Sequence, residues 1–208
     1  MAAGCFTCSE EALDRLCRRD ERFGKLVERY GILSRELTPE PFAALVGGII
    51  SQQISGKAAE TVGQRFAALV GGVRPENVVR ADRAAMQQCG MSHRKVEYIC
   101  AAAQAALDGA VDFAALEQLD DAEIIRRLSA LKGVGVWTAE MMLIFTFARP
   151  DVLSFHDFGI RRGLMRLHRL EQLDRSAFEI FRRRYTPYGT TASLYLWALA
   201  ADGDKGLK

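Results

Sequence analysis

Leu131 to Glu140 reads LKGVGVWTAE, and Asp157 follows in DVLSFHDFGIRRGL. One glycine is enough to stop a helix; a second, one residue on, suggests that another backbone comes close. A helix ending at Leu131, a turn Gly133-Val134-Gly135 and a helix restarting near Trp137 present backbone N–H groups where the helix dipole is positive. A phosphate oxygen suits that place, and glycine lets it approach without a Cβ in the way. A plain tight turn between helices explains the same ten residues equally well. Asp157 precedes Phe158-Gly159-Ile160, and Ile160, Leu164 and Leu167 share one helical stripe, so Asp157 reads as an N-cap. A carboxylate at a helix start near a phosphate-binding hairpin is also placed to act on a nucleotide, and a cap and a catalyst are not exclusive.

Charge adds to this. The 208 residues carry a net charge of +2, which is no global signal for nucleic acid. From Arg149 to Arg184, however, nine arginines stand against five acids. Alone, such a run reads first as a solvated helical face. Five cysteines (Cys5, Cys8, Cys17, Cys89, Cys100) are an odd count without disulfide-like spacing. Cys5 and Cys8 form a lone CxxC, read here as free thiols on a frayed N-terminus rather than a metal site. Reduced thiols and the absence of a signal-like start predict an intracellular protein. No apolar run reaches the ~20 residues that span a bilayer.

The elements that must position these groups are helical. Leu13, Leu16, Phe23, Leu26 and Tyr30 mark a first helix or helix pair ending near Gly31. Pro39 and Pro41 open an element with Phe42, Leu45, Val46, Ile49 and Ile50 on one side. Residues 55–69 form a third, ended by Gly71-Gly72, and RADRAAMQQCG a short helix stopped by Gly90. Ser92 caps a helix running to Gly109, and Asp120 to Glu123 resembles a capping box. Strand alternation and hairpin-turn signals are absent, which predicts an all-α chain of many short helices.

At this point the sequence resembles the helix-hairpin-helix DNA glycosylase superfamily. LKGVGVWTAE with the spaced Asp157 carries the likeness. PFAALVGGIISQQIS, GMSHRKVEYI and YTPYGTTASLYLWAL are similar to segments of its 3-methyladenine DNA glycosylase II branch, so the resemblance spans roughly residues 10–200. It implies a two-lobed fold with the active-site cleft between a six-helix barrel, residues 38–148, and a lobe made of residues 1–37 and 149–208. It implies that Asp157 is catalytic, and that the hairpin amides around Gly133, Gly135 and Thr138 hold a DNA phosphate. A monovalent cation on the hairpin carbonyls is the one cofactor it admits, with no catalytic metal. Trp137 stands where lyase-type relatives carry a lysine, so no Schiff base can form with the sugar. Gln53 falls at the residue wedged into the duplex, and Trp137, Met141 and Trp197 at positions lining the base pocket. Either Arg161 or Arg162 is expected on the DNA backbone.

The expectation is therefore a monomeric, monofunctional DNA glycosylase that excises alkylated purines from double-stranded DNA, away from membranes. A glycosylase for deaminated or other lesions, and a non-catalytic structure-specific DNA-binding protein, are the alternatives. The sequence departs from its relatives at His156, often acidic there, and at Gly189, often arginine. It also has no cysteine cluster for an iron–sulfur centre, and the extra N-terminal β-domain of some relatives is not expected. His156 reads as a loop residue or as a pocket group that tunes Asp157.

Overall fold

The structure, a computed structural model, describes residues 4–202. In chain order, β1 (Cys5–Thr7), α1 (Glu10–Arg19), α2 (Glu21–Tyr30) and β2 (Ser34–Glu36) come first. They are followed by α3 (Pro41–Ser51), α4 (Gly56–Val70), α5 (Pro75–Arg80), α6 (Arg83–Gln88), α7 (His93–Leu107), α8 (Asp121–Ser129) and α9 (Val136–Phe145). The last three are α10 (Phe158–His168), α11 (Arg175–Tyr185) and α12 (Gly189–Ala201). The chain divides into two compact units. One is Thr38–Phe147; the other joins the chain up to Leu37 with that from Ala148 onward.

Local chemistry places most helix starts. Ser9, Asp20, Ser55, Asp82, Ser92, Asp120, Asp157 and Asp174 each accept a backbone N–H two or three residues on, filling one of the donors a helix start leaves open. Asp20 divides the first apolar stretch in two, since its N–H closes α1 on the Leu16 carbonyl while its carboxylate caps α2. Gly71 closes α4 in the left-handed conformation.

The unit containing both chain ends is built around Leu16, Phe23, Leu26, Ile160, Leu164, Phe178, Tyr195 and Leu196, all fully buried. Each such side chain contributes about 1.5–3 kcal/mol on leaving water. α12 is buried nearly all round, as a central helix must be. Its small polar residues are satisfied inside: Ser193 donates to the Val152 carbonyl at 2.8 Å and Thr190 to that of Arg149 at 2.5 Å. The same unit holds a buried polar cluster. Tyr185 donates to Oδ2 of Asp20 at 2.8 Å, and His168 Nε2 lies 3.2 Å from that oxygen and 3.0 Å from the tyrosine oxygen. Arg22 reaches His168 Nδ1 at 2.9 Å and Arg184 reaches Asp20 at 3.2 Å.

The Thr38–Phe147 unit buries Phe42, Leu45, Ile49, Phe66, Met86, Ile99, Leu116, Ile124, Leu128 and Leu143. It carries seven α-helices rather than six. The extra one is α5, which Pro75 opens at its first position; six residues are too few to show a helical period. A second correction concerns strands. β1 and β2 pair antiparallel, with Phe6 opposite Arg35, too short for alternation to be visible. The chain near its start is accordingly not frayed at the cysteines: Cys5 lies in β1 and Cys8 is buried. All five cysteines are free thiols. Among the described residues, no helix is long and apolar enough to cross a membrane.

Candidate active site and nucleic-acid interface

The hairpin lies wholly in the Thr38–Phe147 unit. α8 ends at Ser129, two residues before the expected stop, and the chain turns through Leu131 N–H to Leu128 and Val134 N–H to Leu131, both 3.1 Å. The two glycines serve different needs. Gly133 has φ +81°, and a Cβ built on it would lie 2.1 Å from the Tyr98 ring, so its bare face is already occupied by the protein. Gly135 has φ −96° and nothing within 4 Å of its Cβ position. Of the two, Gly135 is the one with open space on its bare side. It is also the N-cap of α9 and supplies no side chain to its first turn, in contrast to the eight helices capped by serine or aspartate. Thr138 is buried, with its methyl 3.2 Å from the Cβ position of Gly48. Its side chain is thus occupied within the protein.

Gln53 is exposed and adopts φ +59°, in the loop after α3. Its neighbour Gln52 donates from Nε2 to the Gly133 carbonyl at 3.1 Å. Lys95 donates from Nζ to the carbonyls of Ile50 at 2.7 Å and Gln52 at 2.6 Å. A cavity of 540 Å³ collects these groups: Gln53, Gly133, Gly135, Trp137 and Thr138 all line it, with Arg94, Lys95 and Tyr98. Met141, one turn beyond Trp137 on α9, is half-buried and does not line it.

Asp157 and Trp197 belong to the other unit, and there they meet. Asp157 is 7% exposed, and its Oδ1 accepts the Ile160 N–H and the Trp197 Nε1–H, both at 2.8 Å. Gly159 makes this possible, because a Cβ there would fall 2.6 Å from Trp197 Cδ1. His156 is exposed, its ring edge-on to Phe155 at 6.0 Å. The two candidate arginines separate. Arg161 lies over the Phe155 ring at 5.3 Å, with Arg175 on the same ring at 5.0 Å. Arg162 is exposed. Both line a second cavity of 390 Å³ along α10, with Phe158, Met165 and Arg166. Gly189 is buried, its N–H on Asp151 Oδ1 at 3.0 Å and its Cβ position 2.8 Å from that oxygen. The space an arginine would need at its Cβ is filled.

Sequence reasoning missed Gln52, Lys95 and Tyr98, and missed the bond between Trp197 and Asp157. One signal for Lys95 was present. Arg94 and Lys95 place two cations in the first turn of α7, where the helix dipole disfavours positive charge, which marks them as residues to examine for a partner. Among the described residues, no group of three or more His, Cys, Asp or Glu side chains is arranged to hold a metal ion.

One unit thus carries a glycine hairpin with no side-chain cap, and the other a buried aspartate at a helix start that accepts two hydrogen bonds. The family model of the HhH-GPD superfamily base excision DNA repair proteins matches residues 46–187, and the chain belongs to that superfamily. Its likeness is to the 3-methyladenine DNA glycosylase branch. It is 33% identical to DNA-3-methyladenine glycosylase 1 of Schizosaccharomyces pombe, over 92% of this chain and 86% of that one. Among solved structures it resembles DNA-3-methyladenine glycosidase of Bacillus halodurans, with TM-score 0.82 and 36% identity over 96% of this chain and 93% of the other. It equally resembles the S. pombe 3-methyladenine DNA glycosylase in complex with abasic DNA, with TM-score 0.82 and 33% identity over 90% and 95%.

Proposed function

We propose that this protein is a monofunctional DNA glycosylase that hydrolyses the N-glycosidic bond of alkylated purines in duplex DNA, acting as a monomer inside the cell. The observation that carries the reading is the Asp157 carboxylate, buried, with Oδ1 fixed by two donors, in a chain of the base-excision superfamily. A target base is out of reach inside the duplex, so it must be flipped out at a cost of a few kcal/mol. Gln53, exposed on its loop, would fill the gap; Gly135, the first turn of α9 and Arg162 would hold the backbone.

As the bond from C1′ to the base nitrogen breaks, its electron pair leaves with the base and positive charge develops on the sugar. Asp157 supplies the negative charge that stabilises it and receives or orients the proton of the attacking water. A 3-methyladenine or 7-methylguanine base is cationic before cleavage and departs neutral, so no general acid is required. Trp137 in the hairpin cavity presents an aromatic face that suits a cationic base, worth about 0.5–2 kcal/mol. With no amine at Trp137, no Schiff base forms with the sugar, which stays in an intact strand as an abasic site.

The hairpin would offer backbone carbonyls to a cation, neutral donors that suit a monovalent ion. That of Gly133 already accepts from Gln52, so an ion there would share it. Such an ion would lend positive charge to the phosphate contact.

The test is single-turnover base release from duplex DNA carrying 7-methylguanine. The expected product is an alkali-labile abasic site, made by the wild type and lost in Asp157→Asn. Strand breakage without alkali would overturn the monofunctional assignment. Binding without release across alkylated and deaminated bases would leave a DNA-binding module.

A further inference from the structure

We propose that Lys95 is a positioning residue for base flipping: its ammonium, bonded to the Ile50 and Gln52 carbonyls, holds the Gln53 loop in its inserting conformation before DNA arrives. This rests on Gln53 being the inserted residue, as proposed above.

Gln53 sits at φ +59°, a region that non-glycine residues occupy only where their surroundings enforce it. The loop's own backbone does little of that. Gln52 N–H to Ile49 and Ile54 N–H to Ser51 are both long, at 3.4 Å. The short bonds come from elsewhere: Lys95 Nζ at 2.7 and 2.6 Å to the residues flanking Ser51, and Gln52 Nε2 at 3.1 Å to Gly133. Together they fasten the loop to α7 on one side and to the hairpin on the other. Electrostatics explains the choice of lysine. At the third position of α7 an ammonium is disfavoured by its own helix, but the carbonyls it meets are the last of α3, where the dipole is negative. Burial lowers the Lys95 pKa, in keeping with an ammonium drawn inward onto carbonyls. Lys95 therefore acts through Gln53, and its charge is already used within the protein rather than on a phosphate.

The experiment compares Lys95→Met, Gln53→Ala and the double variant, in base release from 7-methylguanine duplex and in binding to an abasic duplex over a range of salt. Lys95→Met should slow release about tenfold or more with the salt dependence of binding unchanged. In the Gln53→Ala background the same change should cost less than about twofold, because coupled residues are not additive. Additive losses, or a salt slope lower by about one, would show a phosphate contact and overturn the proposal. Lys95→Arg, which keeps a cation able to reach both carbonyls, should retain most of the activity. Amide exchange of the DNA-free protein reads the loop directly: Lys95→Met should speed exchange at residues 52–54 and spare α3 itself. Unchanged protection there overturns the proposal, as does a loss spread over the whole unit. If Lys95→Met fails to fold, Gln52→Ala must show the same coupling to Gln53 and the same local exchange, and its failing to do so counts equally against it. A wild type that releases no base removes the glycosylase reading, while the exchange result still decides whether Lys95 holds the loop.

Discussion

The indole N–H of Trp197 and the carboxylate of Asp157 are joined by a 2.8 Å hydrogen bond, on the same oxygen that caps α10 through the Ile160 amide. A tryptophan expected at the base pocket is thus bonded to the carboxylate proposed to act on the sugar. Two donors on Oδ1 set the plane of the carboxylate, so its charge is presented in one orientation.

Asp157→Asn keeps an oxygen for both donors while removing the charge. Base release should fall by about 10²–10⁴-fold, with the melting temperature changed by no more than a few degrees. Thermal unfolding measured beside single-turnover kinetics separates the two roles; a comparable loss of stability would mean that the cap dominates.

Trp197→Phe removes one donor and leaves most of the packing. A hydrogen bond to a charged group is worth about 1.5–3 kcal/mol, so the chemical step should slow about ten- to a hundredfold. The affinity for abasic duplex should hold. Gly159→Ala should mimic this, since its methyl would displace the indole. An unchanged single-turnover rate in both variants would show that the bond does not orient Asp157.

The hairpin glycines should respond in opposite ways. Gly133→Ala meets both a positive φ and the Tyr98 ring, and should lower stability by about 1–3 kcal/mol. Gly135→Ala has room for its methyl within the protein, and should fold normally yet bind duplex DNA several-fold more weakly. Melting curves and fluorescence-anisotropy titrations of the two variants check this, and equal effects on both would refute it.

Stability should depend on acid through Asp20. Burial alone would raise its carboxyl, but hydrogen bonds from His168 and Tyr185, the charge of His168 and Arg184 outweigh it and hold the group well below the usual carboxylate range. A folded pKa depressed below the unfolded value of about 3.9 gives stability that is fully present above that value and lost as pH falls below it. Burial and the Asp20 charge raise the Tyr185 phenol in the same cluster. Asp20→Asn should cost about 3–5 kcal/mol near neutrality, because it strands buried partners. It should also flatten the decline below about pH 4, as read from denaturant unfolding over a pH series.

What the sequence showed and what it hid divide by range. Caps at Ser92, Asp120 and Asp157, the stop at Gly71 and the hairpin glycines all depend on residues within four or five positions, and the spacing displayed them. Asp157 was found as a cap by that means. Lys95 reaching Ile50, Gln52 reaching Gly133, Trp197 reaching Asp157 and Tyr185 reaching Asp20 each join distant parts of the chain. Such pairs leave no period to detect. The β1–β2 pair was hidden for a second reason, since three residues cannot display alternation.

The cluster of Asp20, His168 and Tyr185 bears on the order in which the chain can fold. Its members come from the N-cap of α2, from α10 and from α11, on either side of the whole Thr38–Phe147 unit. That intervening unit is contiguous and can close as soon as it leaves the ribosome. α1 and α2 must wait until residues as late as Leu199 have been made before Leu16, Phe23 and Leu26 find their core. During synthesis those leucines and that phenylalanine have only each other's helices to cover them. For that interval the first helices are the segment most exposed to misassembly and the one a chaperone would hold.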